Sequence, residues 1–206
     1  MGLDRYIAKQ LYNPKGFGGK IVSAVMNKQN IPMYNAMIEL LKPSESDIIL
    51  DFGCGNGYAI NILAKQYGGI YFGIDTSKSI LISAKRLNNE FIKNGRVTLL
   101  KQSFDAMTFT ERSFDKIYTI NTVYFWENLD KTMNQIFNLL KPNGLFINTL
   151  FSNETLSRFS HTRYGYKRFS LEQLSDAGRN VGFEVNVKPI SNNAAYCILY
   201  IKEDKT

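Results

Sequence analysis

Ile48-Ile49-Leu50-Asp51-Phe52-Gly53-Cys54-Gly55-Asn56-Gly57-Tyr58 decides the fold of this chain. Three apolar residues run into an acid, and glycine then recurs at every second position before a helix-forming segment opens at Tyr58. The pattern is a strand, a glycine turn and a helix start. Glycine lacks a Cβ, so such a turn can take left-handed backbone angles and let a ligand lie against the main chain. Amide groups at the start of the following helix then face that ligand and favour a carboxylate or phosphate. The stretch is suited to a nucleotide-like cofactor.

Spacing separates two kinds of cofactor. A dinucleotide turn, Gly-x-Gly-x-x-Gly, would place its third glycine at position 58, and residue 58 is Tyr. With Asp51 included, the pattern is Asp-x-Gly-x-Gly-x-Gly. In this it resembles the first motif of the class I S-adenosylmethionine-dependent methyltransferases.

The resemblance continues downstream. Ile70-Tyr71-Phe72-Gly73-Ile74 reads as a second buried strand ending in Asp75-Thr76-Ser77. An acid there can accept hydrogen bonds from both hydroxyls of an adenosine ribose, or cap the helix that begins near Ser77. Asp51 and Asp75, at the carboxyl ends of successive parallel strands, would flank one crevice. Val97-Thr98-Leu99-Leu100 reads as a third strand, followed by Ser103-Phe104, where many family members carry Asp-Ala against the adenine. Asp105 by a register shift, or Ser103 with backbone groups, is left to meet the base. Ser113-Phe114-Asp115 leads into a fourth strand that ends at Asn121, and Leu139 to Ile147 matches the family's helix, Pro-x-Gly turn and fifth strand. By motif the likeness covers residues 44–150.

Beyond that point, Arg168 to Leu174 resembles the segment that opens the last helix of small-molecule members. Ser170 and Gln173 form a capping box there, and Gly182 suits the cap after its last turn. Strands near Phe183 to Val187 and Tyr196 to Ile201 would close the sheet as a hairpin. The implied fold is α/β, a Rossmann-like three-layer sandwich with a mostly parallel seven-stranded sheet ending in an antiparallel hairpin. The implied cofactor is S-adenosylmethionine, leaving as S-adenosylhomocysteine, held by Asp51, Gly53, Gly55, Asp75, Thr76, Ser103, Phe104 and Asn121.

Length and composition agree. The chain has 206 residues, 44% of them hydrophobic, with no break in composition, which suits one domain over 1–206. Residues 1–43 read as an N-terminal helical cap and 44–206 as the core, with a substrate lid over 152–169. Within the cap, Gly16 to Gly19 is a turn, Lys20 to Lys28 has helical periodicity, and Met33 to Leu41 is a second helix between Pro32 and Pro43. No apolar run approaches the roughly 18 residues of a membrane span. The first residues lack the apolar core of a secretory signal, so the expected location is cytoplasmic. Cys54 and Cys197 read as small buried hydrophobes. One His and no Cys-x-x-Cys leave no recognisable metal ligand set.

Methyl transfer from a sulfonium is an in-line displacement, so the protein's task is to place a nucleophile and exclude water. No catalytic triad is required. Candidate substrate contacts follow the fourth strand, where Tyr124, Trp126 and Glu127 offer rings and an acid. They continue in the lid with Tyr164 and Tyr166. Four lid cations, Arg158, Arg163, Lys167 and Arg168, could grip an anion. Tyr124 and His161, the chain's one His, are the candidate catalytic groups.

The acceptor implied by the resemblance is a small molecule, the motifs being most like those of the ubiquinone- and menaquinone-biosynthesis type. A net charge of +7 and a pI near 9.3 raise the alternative of a nucleic-acid (RNA) methyltransferase. Asn121-x-x-Tyr124 has the outer residues of the Asn-Pro-Pro-Tyr motif, but Thr122-Val123 replaces the prolines that fix its turn. A non-catalytic cofactor-binding protein is the third reading. The acceptor atom and the oligomeric state are open at this level.

Overall fold

A computed structural model describes residues 27–103 and 108–204. Helix α1 (Ile31–Leu41) opens with Pro32 in its first turn and stops at Lys42, whose left-handed backbone precedes Pro43. The α/β core follows as β1 (Ile48–Phe52), α2 (Tyr58–Gln66), β2 (Ile70–Asp75), α3 (Lys78–Leu87), α4 (Asn89–Lys93) and β3 (Val97–Lys101). It continues with β4 (Phe114–Ile120), a single 3-10 turn (Val123–Phe125), α5 (Leu129–Leu139) and β5 (Leu140–Phe151). The 152–169 segment, the expected lid, contains α6 (Asn153–Arg158) and a 3-10 turn (Ser160–Arg163), and α7 (Leu171–Asn180) leads to β6 (Glu184–Ile190) and β7 (Ala195–Ile201). The expected 20–28 helix lies, but for its last two residues, outside the described residues, as do Gly16 to Gly19, Phe104 and Asp105.

The strands form one seven-stranded sheet in the order β3-β2-β1-β4-β5-β7-β6. Strands β1 to β5 pair in parallel, while β7 runs antiparallel to both β5 and β6. The expected mostly parallel, hairpin-ended sheet is the one observed. Pro142-Asn143-Gly144 bulges within β5: between Phe114–Leu140 and Lys116–Leu145, β5 advances five residues against two on β4. The capping box of α7 forms in full, with Gln173 N donating to Ser170 Oγ at 3.0 Å and Ser170 N donating to Gln173 Oε1 at 2.8 Å.

Both sheet faces are covered. On one, Ile49, Tyr71 and Tyr118 pack under α1, α2 and α3; on the other, Leu50, Phe146 and Tyr200 pack under α5 and α7. Residues that alternate along a strand therefore enter different cores, as the two-residue period requires. Among the described residues, no helix is long and apolar enough to cross a membrane. Strand order reverses between β1 and β4, so the crevice outside their carboxyl ends is where an open α/β sheet receives a ligand.

Candidate functional site

The glycine turn is fixed at both ends by β2. Gly53 N and Cys54 N donate to Ile74 O at 3.0 and 2.9 Å, and Gly55 N donates to Asp75 Oδ2 at 3.0 Å. Gly53, Gly55 and Gly57 all have positive φ, at 88°, 53° and 73°. They need glycine for different reasons. A Cβ on Gly57 would lie 2.6 Å from Asn88 Nδ2 and 3.0 Å from the Ala84 Cβ, so this glycine lets α2 approach α3. Among the described residues, a Cβ on Gly55 would meet Ile80 Cδ1 alone, at 3.8 Å. The described residues leave the space above Gly55 open, and a side chain there would occupy room that a ligand could use.

Asp75 lies at the mouth of this cradle. Its Oδ1 accepts from Ser77 N at 2.8 Å, which fixes the turn leading into α3, while Oδ2 holds the Gly55 amide. Each oxygen retains a further lone pair for a ligand hydroxyl. Burial raises the Asp75 carboxyl above the ordinary range, and bonds from Ser77, Gly55 and Thr76 pull it back. Asp51 is more enclosed, with 4% of its surface exposed. Burial raises its carboxyl to about 8, the Tyr118 hydroxyl 2.9 Å away offsets part of this, and the Asp75 charge adds to the rise. Burial and then the same two acids hold the Cys54 thiol well above its usual range, so it is no thiolate nucleophile.

Helix α1 adds residues that strand patterning did not reveal. Asn30 Oδ1 accepts from Asn121 Nδ2 at 3.1 Å, and Tyr34 packs on Tyr58 with ring centroids 5.3 Å apart. Burial raises the Tyr34 phenol, the Asn30 side chain offsets part of this, and the charge of Asp51 adds to the rise. Gln102 is the other addition. Its backbone N donates to Asp75 O at 3.2 Å and its Nε2 donates to Thr108 Oγ1 at 2.8 Å, while its buried Oε1 has no partner among the described residues.

The sequence-derived candidates divide by position. Asp51, Gly53, Gly55 and Asp75 converge on the turn, with Thr76 exposed beside them and Ser103 exposed just past β3. Asn121, at φ 58°, gives its amide to Asn30 and its oxygen to Tyr124 and Phe151, so it ties α1 to the ends of β4 and β5. Trp126 is a core residue and not a crevice wall. It is fully buried, edge-on to Phe52 and stacked on Phe146, with Nε1 donating to Thr122 Oγ1 at 3.2 Å. Glu127 and Tyr164 are exposed, while Tyr166 and His161, within the 152–169 segment, are half-buried.

Three of the four lid cations are already engaged, while Arg163 is exposed. Arg158 pairs with Glu154 at 2.7 Å, and Lys167 Nζ donates to the carbonyls of Trp126 and Glu127 at 2.7 and 2.8 Å. Arg168 donates to Asn153 O, Ser157 Oγ and Thr162 Oγ1.

A glycine turn joined to an acid at the next strand end, at the reversal point of this sheet, defines a Rossmann-like methyltransferase domain. The chain belongs to the family described as "Methyltransferase domain", whose model matches residues 43–191. It is 26% identical over 129 residues to a sterol 24-C-methyltransferase of Saccharomyces cerevisiae, covering 63% of this chain and 32% of that protein. The chain thus spans about a third of the length of that relative. A methyltransferase solved with the Trm112 methyltransferase activator of Haloferax volcanii superposes with a TM-score of 0.79 at 18% identity, covering 88% of this chain and 93% of that one. Phosphoethanolamine N-methyltransferase 2 of Haemonchus contortus, solved in complex with S-adenosyl-L-methionine, superposes at 0.71 and 18% identity, covering 84% and 53%. Methyltransferase domains of this fold take S-adenosylmethionine as methyl donor.

Proposed function

We propose that this protein transfers a methyl group from S-adenosylmethionine to a small-molecule acceptor. The observation that carries the reading is the open cradle at Gly55, held to Asp75 through the 3.0 Å amide bond. The residues present fit the cofactor. Asp75 would accept the ribose hydroxyls, the glycine turn would lie along the ligand's flank, and buried Asp51 would meet the ammonium of the methionine portion. Gln102 Oε1, shielded and without a partner among the described residues, is an acceptor suited to the adenine amino group, where Ser103 replaces the family's acid.

When bound, S-adenosylmethionine supplies a methyl carbon already attached to a good leaving group. The chain's own residues need only bind, orient and dry the crevice. Tyr34 and Tyr58 close the α1 side, and Tyr124, Asn121 and Phe151 fix the ends of β4 and β5 opposite. Thr122 is buried and bonded to Thr119 and Trp126, so the turn after β4 packs into the core where a base-flipping methyltransferase would present its prolines. That favours a small acceptor over a nucleic acid. The ubiquinone-like character of the motifs supports the same choice without fixing the acceptor.

Calorimetry with S-adenosylmethionine and S-adenosylhomocysteine tests the reading. Both should bind, and Gly55→Val should weaken both by about 10-fold or more, since it combines a left-handed backbone penalty with loss of ligand space. Failure of the parent protein to bind either compound would sink it.

A further inference from the structure

We infer that the methyl acceptor is an uncharged, apolar small molecule seated against a wall of aromatic rings between the lid and the ends of β4 and β5. This rests on the methyl-transfer reading above and names the acceptor chemistry of the same crevice.

The wall is a continuous series of ring contacts. Phe125, in the turn after β4, meets Tyr166 of the lid edge-on at 4.7 Å, and Tyr166 meets Tyr124 at 5.4 Å. His161 lies edge-on to Tyr166 at 6.1 Å and stacks on Phe159 at 5.6 Å. Phe159 then meets Phe151, the last residue of β5, at 5.8 Å. The Phe151 amide closes the circuit by donating to the Tyr124 hydroxyl at 2.8 Å. Tyr124 is buried, whereas Phe125, Phe151, Phe159, His161 and Tyr166 each keep part of their surface open.

Position gives this surface its meaning. It stands at the carboxyl ends of β4 and β5, and β4 is the neighbour of β1, whose end carries the cofactor turn. Charge supplies the other half. Arg158, Lys167 and Arg168 already hold Glu154, backbone carbonyls and lid hydroxyls, so three of the four lid cations would have to break those bonds to grip an anion, and the fourth, Arg163, is exposed. An anion would lose hydration against the electron-rich ring faces, and a cation would recover only part of its hydration from them, whereas an apolar acceptor gains from the same contact.

A matched set of ring compounds tests the inference: 1-naphthol, 1-naphthyl phosphate and 1-naphthylmethylamine, titrated by calorimetry into protein loaded with S-adenosylhomocysteine. 1-Naphthol should bind about 10-fold more tightly than either charged relative. Phe159→Ala and Tyr166→Ala should each weaken naphthol by about 10-fold while S-adenosylhomocysteine affinity holds within about twofold, which also reports that the variants fold. Tyr166→Phe, which keeps the ring, should bind naphthol as the parent does. Preference for the phosphate or the amine, no binding of any member of the set, or full naphthol affinity in both Ala variants would overturn the inference while leaving the cofactor reading intact. Failure of the parent to bind S-adenosylhomocysteine would overturn both together.

Discussion

Asp75 Oδ2 accepts the Gly55 amide at 3.0 Å, so the acid at the end of β2 is the brace of the glycine turn that follows β1. Its other oxygen fixes the turn into α3 through Ser77 N at 2.8 Å. The same side chain thus shapes the cradle and faces the ligand. Asp75→Ala should remove both roles and weaken S-adenosylhomocysteine by about 10- to 100-fold, the scale of a lost hydrogen bond to a charged group. Asp75→Asn keeps one acceptor but turns a donor toward either Ser77 N or Gly55 N, so it should not restore affinity. Calorimetry on the pair checks this, and parent-like binding by the Asn variant would refute the bracing role.

The raised carboxyl of Asp51 gives stability an unusual pH dependence. In the folded protein it titrates near 8 because it is buried, whereas an unfolded aspartate titrates near 3.9. The folded state therefore binds this proton more tightly, and its contribution to stability is present below about pH 4 and is lost as pH rises toward 8. Asp51→Asn cannot ionise and can still accept from Tyr118. Ligand-free Asp51→Asn should thus be more stable than the parent by roughly 1–3 kcal/mol at pH 8.5, with a smaller gap at pH 5.5, while its cofactor affinity falls. Melting curves at the two pH values read the gap; one that is constant or narrows with pH would contradict the assignment.

The landmarks that glycine and caps control were legible in the chain itself. Asp51 to Gly57 forms the turn its spacing implies, Ser170 and Gln173 make the box their separation implies, and the last two strands form the hairpin. What stayed hidden depends on tertiary approach. Tyr118 reaches Asp51 across 67 residues of sequence, and Asn30 reaches Asn121 across 91. No local pattern announces either. Trp126 was misplaced for a related reason: a 3-10 turn over Val123–Phe125 ends in extended backbone at Trp126, which sends the ring between Phe52 and Phe146. The lid cations misled because their partners are largely carbonyls and hydroxyls, which a count of charged residues does not include.

Gln102 offers a test of adenine recognition that does not depend on turnover. Its Nε2 is anchored on Thr108 and its buried Oε1 has no partner among the described residues, a state that ordinarily costs about 1–3 kcal/mol. A 6-amino group can donate to that oxygen, and the 6-oxo group of hypoxanthine cannot. The parent should bind S-adenosylhomocysteine about 10-fold more tightly than its inosine analogue, and Gln102→Leu should erase the preference mainly by weakening the adenosine compound. Unchanged discrimination in the variant would show that the base is read elsewhere.

Tyr124 sits where a general base would be sought, and its bonds argue for a positioning role. The hydroxyl donates to Asn121 Oδ1 at 3.0 Å and accepts from Phe151 N at 2.8 Å, and burial raises the phenol far above neutrality. It holds Asn121 in its left-handed conformation and fixes the end of β5. Tyr124→Phe should therefore lower stability by about 1 kcal/mol, because it leaves the Phe151 amide with only a 3.3 Å contact to Asn121. Release of S-adenosylhomocysteine with an acceptor found by screening should fall by less than about 10-fold. Loss of a proton acceptor that removes it in the transition state costs about 100-fold or more, so a drop of that size, with the fold and cofactor affinity intact, would return Tyr124 to the chemistry.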